Sequence, residues 1–375
     1  MSLVSVTACE TYDLDAVHRA VKASLAPLGG MGRFVNPGMQ VLLKPNLLRS
    51  ADLEQAVTTH PAVVRTVSEL VQEAGGNVLI GDSPAGPLRN GPRVYRRSGI
   101  TDAAERTNAL TVPFDKVEWK QISSGSGPTN YFIAPPILEA DLVINLPKLK
   151  THMLTLYTGA VKNLFGAIPG TRKREMHYCA PGIPDFSQVL VDILELIQPG
   201  LTIMDGVLGQ EGNGPGTGGT PRQYNCLAAS ADPVALDAVM AQAMGYRPGE
   251  VLHLAQANAR GLGVSNLHAI QIEGDQLALD FGKVHSLKAH WYLNAIPSWV
   301  SAPLQKVIRI RPQLAASECI GCGQCTEVCP QDVITPGNPP EFDLTTCIGC
   351  FCCAEICPQG AITPHRNLIA RLVGL

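Results

Sequence analysis

Through residues 1–285 short apolar runs alternate with amphipathic stretches. Residues 4–9, 40–45, 77–82, 141–147, 201–205 and 225–230 are short, apolar and continuous, and read as buried strands. Between them residues 14–28, 61–74, 186–197, 233–244 and 251–260 carry apolar side chains at helical spacing. Two helix starts are marked locally. Asp232-Pro233 sets a capping residue before a proline at the first helical position, and Thr59-His60-Pro61 resembles the same device. Strand–helix alternation of this kind predicts an α/β body with a largely parallel sheet.

The pattern changes at residue 286. Residues 290–304 are uncharged, hold Trp291 and Trp299, and contain Pro297 and Pro303. Residues 286–314 therefore read as a linker that clamps a small C-terminal unit, 315–375, onto the body. The alternative, an interfacial membrane contact, would want a basic amphipathic face that is weak here. Leu368, Ile369, Leu372 and Val373 in the last residues are placed to pack back on either domain.

Composition narrows the partners. A chain of 375 residues exceeds what one core usually holds, in keeping with two domains. A net charge of -3 gives no case for nucleic-acid binding. Charged residues are 16% and hydrophobic residues 45%, a compact globular balance. The first residues lack the basic start and apolar stretch of a secretory signal. No run approaches the roughly 20 apolar residues that span a bilayer, so no transmembrane segment is expected. The expected setting is the reducing cytoplasm.

Near the C-terminus two cysteine runs repeat in register, Cys319-x2-Cys322-x2-Cys325-x3-Cys329-Pro330 and Cys347-x2-Cys350-x2-Cys353-x3-Cys357-Pro358. Cys-Ile-Gly-Cys opens both, and Ile334-Thr335-Pro336 matches Ile362-Thr363-Pro364. Three thiolates at i, i+3 and i+6 let a tight loop wrap three corners of one iron–sulfur cubane. Zinc sites bring paired Cys-x2-Cys knuckles instead, and a disulfide framework needs an oxidising compartment. The spacing resembles that of the bacterial two-cluster ferredoxins, a small α+β fold holding two 4Fe-4S clusters. That resemblance implies Cys319, Cys322, Cys325 and Cys357 on one cluster, and Cys347, Cys350, Cys353 and Cys329 on the other. The repeat aligns Cys352 with Gln324, which sets it apart from the ligands.

In the body, polar motifs recur just after strands: Lys44-Pro45-Asn46, Gly81-Asp82-Ser83-Pro84, Lys148-Leu149-Lys150-Thr151-His152 and Asp205-Gly206. Ligands of open α/β sheets bind outside the carboxyl ends of the strands, so these loops are expected to converge. Residues 144–177 carry Lys148, Lys150, Lys162, Arg172, Lys173 and Arg174 against Glu175 alone, which suits a phosphate or carboxylate group. Arg172-Lys173-Arg174 equally fits a solvated basic face. Lys162-Asn163 sits in an apolar stretch, 155–168, read as helical, where a lysine either serves the site or snorkels to solvent. His152, His177 and Cys179 are candidate bases or metal ligands, and Asp82 and Asp205 candidate acids or ligands, although Asp-Ser-Pro and Asp-Gly are also ordinary turns. The glycine-rich stretch 212–219 contains a proline and runs toward a strand, so it is no dinucleotide fingerprint. A lid, or amides facing an anion, is expected there.

Together these motifs, with Thr158-Gly159-Ala160-Val161-Lys162-Asn163-Leu164 and Asp232-Pro233, resemble domain-of-unknown-function family 362. Its members often carry a fused ferredoxin-type domain, and its reaction is not established. Gly159-x2-Lys162, Pro169-Gly170, His177 and the upstream His152 are also similar to a stretch of the nickel-pincer lactate racemase family. There a lysine holds the cofactor and histidines bind nickel or act as bases. The leading expectation is an iron–sulfur oxidoreductase that exchanges electrons with a soluble donor or acceptor protein. Lys44, Asn46, Asp82, Lys148, Lys150, Asn163 and Asp205 would hold a small anionic ligand, and His152, His177 and Lys162 would act on it. The alternatives are an electron carrier with a docking domain, and a nickel-pincer-like enzyme with accessory clusters.

Overall fold

The computed structural model describes residues 1–114, 120–122, 130–275 and 310–367. Most of the expected linker, and the tail beyond residue 367, lie outside the described residues. The strands are β1 Ser2–Ala8, β2 Gln40–Pro45, β3 Asn77–Ile80, β4 Leu110–Thr111, β5 Lys120–Ile122, β6 Tyr131–Ile133, β7 Leu142–Leu146, β8 Lys148–His152, β9 Leu156–Thr158, β10 Leu201–Gly212, β11 Gly219–Ser230, β12 Ile270–Gly274, β13 Ile310–Leu314, β14 Ile334–Thr335, β15 Glu341–Phe342 and β16 Ile362–Arg366. The helices are α1 Leu14–Leu25, α2 Pro61–Glu73, α3 Gly91–Arg97, α4 Ile100–Arg106, α5 Pro135–Glu139, α6 Ala160–Asn163, α7 Arg172–Cys179, α8 Ile183–Ile197, α9 Pro233–Ala243, α10 Leu252–Ala259, α11 Gln324–Val328 and α12 Cys352–Ile356.

One large sheet organises the body in the order β12-β1-β11-β10-β7-β2-β3-β4. Along that path every pairing is parallel except those of β11 with β1 and β10. In β2 the residues Val41, Leu42 and Leu43 are all fully buried. Val41 and Leu43 join the core under α1 and α2, and Leu42 joins the core under α8 and α9. A sheet covered on both faces needs apolar residues on both, which is why this strand is a continuous run and not an alternation.

Local chemistry fixes the helix ends. The Asp13 carboxylate accepts from the Ala16 amide at 3.1 Å, and Asp232 accepts from Val234 and Ala235, each at 2.9 Å. Pro61 stands at the first turn of α2, with the His60 ring capping the Ala62 amide.

The small unit is α+β. β13 pairs antiparallel with β16 and β14 with β15, and α11 and α12 follow the two cysteine loops. Its first strand starts at Ile310, so residues expected to end the linker belong to the cysteine-rich fold. Met153 of the body packs into the same apolar cluster as Ile310, Ile334, Phe351 and Ile362. Two expectations fail locally. Residues 148–152 form a strand, not a loop, and the stretch 155–168 is broken into β9, α6 and a single 3-10 turn.

Candidate functional site

β8 brings the basic residues together. It leaves β7 past Pro147, runs parallel to β10 with Lys148 opposite Asp205 and Lys150 opposite Gln210, and pairs antiparallel with β9. Alternation along a strand places Lys148, Lys150 and His152 on one face. All three are buried.

Two of the expected ligand-binding lysines are already neutralised. Lys44 Nζ donates to Asp82 Oδ1 at 2.7 Å, and the Leu47 amide donates to Asp82 Oδ2 at 2.7 Å. Burial pushes Lys44 down and Asp82 up, and each charge holds the other back. A methyl on Gly166 would collide with both, so the pair is sealed by a residue without a side chain. Lys148 Nζ donates to Asp205 Oδ2 at 2.8 Å and to Tyr12 Oη at 2.7 Å, while Tyr12 donates to Asp205 Oδ1 at 2.8 Å. The His60 amide adds a bond to Asp205 at 2.9 Å. Lys148 and Asp205 thus form a closed buried network, and neither lines the cavity described next.

That cavity has a volume of about 840 Å³ and opens between the body and the small unit. Asn46 and Asp82, each just beyond a sheet strand, lie in its wall with Lys150, His152, Lys162 and His177. Asn163 joins them, its amide donating to Asn145 Oδ1 at 2.7 Å. Val328, Cys352, Glu355 and Ile356 close it from the cysteine-rich side. Of the ten body residues expected at the site, Lys44, Lys148 and Asp205 are the ones left out.

Lys150 donates to Asn46 Oδ1 and, at 2.8 Å, to the Val57 carbonyl. Burial pushes it down to about 7, with Glu355 opposing and Lys148 and Lys162 adding to the shift. Lys162 has no hydrogen bond or ion pair among the described residues; its ammonium lies 5.2 Å from the centre of the Phe165 ring and 5.4 Å from that of Phe186. Burial lowers Lys162, offset by Glu355. His177 stacks on Phe186 with ring centres 4.2 Å apart, and burial pushes it down to about 3.

His152 is oriented by the backbone. Its Nδ1 accepts from the Leu154 amide at 3.0 Å and the Thr155 amide at 3.3 Å, which leaves the ring proton on Nε2. Nε2 lies 3.2 Å from Glu355 Oε1. Burial, then Lys162, holds His152 well below the usual histidine range, so the ring is neutral. Glu355 is pushed up to about 7 by burial, with Lys162 and Lys150 opposing.

The cysteine-rich unit holds two further cavities. Cys319, Cys322, Cys325 and Cys357 line one of about 380 Å³, and Cys329, Cys347, Cys350 and Cys353 line the other, of about 350 Å³. Cys352 lines neither and faces the large cavity instead. The Gly321 and Gly349 amides donate to Cys319 Sγ and Cys347 Sγ, each at 3.4 Å. Four thiol side chains around each void, with amide donors to sulfur, fit a 4Fe-4S group.

The body grips this unit at several points. Arg174 makes two bonds to the Asp332 carboxylate, at 2.8 and 2.9 Å, and Arg89 pairs with Glu327. Thr217 Oγ1 donates to the Cys357 carbonyl at 3.2 Å. The basic stretch of α7 is therefore in part a docking surface. The glycine-rich stretch expected as a lid is the turn joining β10 to β11, with Gly216 pressed against the Glu355 backbone.

Sequence reasoning missed Glu355 and the exposure of Cys352 to the large cavity. The signal available was the repeat itself, since both lie on α12, between Cys350 of one void and Cys357 of the other. It also missed His253 on α10, fully buried, with neither ring nitrogen hydrogen-bonded among the described residues.

Residues 41–242 match the family model described as domain of unknown function (DUF362), and residues 318–361 match that of a 4Fe-4S dicluster domain. A thylakoid-associated protein of Synechocystis sp. is 38% identical over 261 residues, covering 69% of this chain and 79% of that relative. Among solved structures, the lactate racemase apoprotein from Thermoanaerobacterium thermosaccharolyticum matches 63% of this chain and 58% of its own length, at 12% identity and a TM-score of 0.37. A Thermotoga maritima protein gives 11% identity and 0.35, covering 59% of this chain and 56% of that one. Among the described residues no helix is long and apolar enough to cross a membrane.

Proposed function

The chain belongs to the DUF362 family and carries a 4Fe-4S dicluster domain, and on that footing we propose that it is an oxidoreductase passing electrons through two clusters to a small anion held between its two units. The observation that carries this reading is the double duty of α12. Cys353 and the following Cys357 face the cysteine-lined voids, while Cys352, Glu355 and Ile356 wall the large cavity. A ligand there is one short helix away from the thiolates.

When bound, the clusters supply one-electron transfer. The residues of the chain do the rest. Lys150 and Lys162 attract the anion, and Asn46, whose Oδ1 Lys150 holds, offers its amide N–H to an anion oxygen. Val328 and Ile356 keep that side of the cavity apolar, which strengthens the charge contacts within it. The backbone holds the His152 proton on Nε2, where it faces both Glu355 and the cavity, so this pair handles the proton that accompanies a reduction. A soluble electron carrier is the proposed partner and the cytoplasm the proposed setting. Because one relative is thylakoid-associated, membrane fractionation of the native protein is the check on location.

The test is strictly anaerobic purification, followed by mass spectrometry of whatever small anions co-purify. Dithionite-reduced protein is then mixed with each anion while the cluster absorbance is followed. One anion is expected to reoxidise the clusters rapidly, and Lys162→Met to slow this at least tenfold at low anion concentration. If no small molecule accelerates reoxidation and only a partner protein does, the carrier reading replaces this one.

A further inference from the structure

Arg49 sits on the loop after β2 and is only 5% exposed. Its guanidinium donates to the Ser50 carbonyl at 3.3 Å and to Gln55 Oε1 at 3.1 Å, and its Nε has no partner among the described residues. Among the described residues it makes no ion pair. A buried charge without a counter-charge is costly, and in native proteins it is normally compensated. The nearest acidic candidate on its own loop, Asp52, is engaged by Arg97.

The missing negative charge lies across the domain boundary. The Gln55 carbonyl accepts from Gln210 Nε2 at 2.7 Å, and that same Nε2 donates to the Gly216 carbonyl at 3.0 Å. The next residue, Thr217, donates to the Cys357 carbonyl. Arg49 is therefore tied, through two glutamines and one turn, to the cysteine that closes the first void. Burial lowers the Arg49 pKa, and the charge of Cys357, then that of Asp52, counters it.

We propose that Arg49 is a redox-tuning residue, supplied by the body, which stabilises the reduced form of the cluster held by Cys319, Cys322, Cys325 and Cys357. The proposal rests on the two-cluster reading given above. Four thiolates make such a cluster anionic, and reduction adds one electron and one more negative charge with no bond made or broken. A fixed cation in a water-poor setting favours that added charge, which raises the reduction potential. Lys162, another buried cation of the body, lies by Cys352 and Glu355 on α12 instead. The body arginines reaching toward the small unit elsewhere, Arg89 and Arg174, are partly exposed and paired with Glu327 and Asp332. Arg49 thereby makes the Cys357 cluster easier to reduce than it would be without that charge.

The experiment is a redox titration of the whole anaerobic protein followed by electron paramagnetic resonance, with iron and sulfide measured on every sample. In Arg49→Gln one of two midpoints is expected to fall, lowering the reduced-to-oxidised ratio at fixed potential on the order of tenfold, about 59 mV for a one-electron couple. Arg49→Lys keeps the charge and is expected to hold the midpoint near that of the unsubstituted protein. Full cluster content with both midpoints unmoved, or both moved equally, overturns the role of Arg49. A fall as large in Arg49→Lys overturns it too, and remains readable if Arg49→Gln fails to hold iron. Fewer than two clusters in the unsubstituted protein is a different result, and overturns the cluster reading itself.

Discussion

Lys150 gives the cavity a pH signature. Burial holds it near 7 against an ordinary value of 10.5, so it loses its proton as pH rises through neutrality. Binding of the cavity anion is expected to weaken from pH 6 to pH 8.5, as Lys150 loses its charge and Glu355, at about 7 in the same wall, gains one. Calorimetry across that range checks it, with Lys150→Met flattening the profile in part and Lys150→Met with Glu355→Gln flattening it fully. The stability sign runs the other way. Between 7 and 10.5 the unfolded lysine holds a proton that the folded one lacks, so this residue makes folding more favourable as pH rises through that window. The buried pair beneath the cavity makes a different prediction. Asp82→Asn strands Lys44 without its counter-charge and is expected to cost about 3–5 kcal/mol in denaturant unfolding, whereas Lys44→Met with Asp82→Leu should recover much of it. At this scale the sequence was readable in part. The alternation Lys148-x-Lys150-x-His152 is a strand signal that places three groups on one face, but Pro147 before it read as a loop boundary. Nothing local distinguishes Lys150, which lines the cavity, from Lys148, which Asp205 and Tyr12 consume, because those partners arrive from distant segments.

The element that presents Lys162 and Asn163 is α6, a single turn too short to persist alone. Asp237 of α9 holds its start, accepting from the Ala160 amide at 2.6 Å, the Val161 amide at 2.9 Å and the Tyr157 hydroxyl at 3.1 Å. Asp237→Ala leaves three buried donors unmet and is expected to destabilise by about 3 kcal/mol or more, seen in chemical denaturation, and to weaken anion binding through Lys162. Gly159 precedes this turn, and a side chain there would strike the Asp237 carboxylate. Such dependence on a remote carboxylate explains why 155–168 misread as one helix: its apolar period was real, but the tertiary partner decided where the turns fall. The longer elements were legible because their patterns are self-sufficient. β2 is found at the residues expected, and α1, α2 and α9 start where they were expected, at Leu14, Pro61 and Pro233.

How the two units meet was not legible, since no residue of α7 announces whether solvent or a protein surface lies opposite. The exposed pairs Arg174–Asp332 and Arg89–Glu327 are each worth roughly 0–1 kcal/mol, so either substitution alone should leave unfolding nearly unchanged. Reversing both, Arg174→Glu with Arg89→Glu, sets like charges across the seam and is expected to slow electron delivery to the anion at least tenfold while cluster content stays constant, as stopped-flow reoxidation would measure. Glu327 and Glu355 occupy the same place in the two cysteine repeats, as do Val328 and Ile356. Arg89 meets the first glutamate at the surface and His152 meets the second in the interior, while Val328 and Ile356 share one cavity. The repeat thus turns equivalent positions, Val328 and Ile356, toward a single cavity. What separates its halves there is a handful of exchanges, Gln324 for Cys352 and Thr326 for Ala354 among them. Exchange at those few positions lets one repeated module set a glutamate at the surface in its first half and the equivalent glutamate in a cavity wall, beside Cys352, in its second.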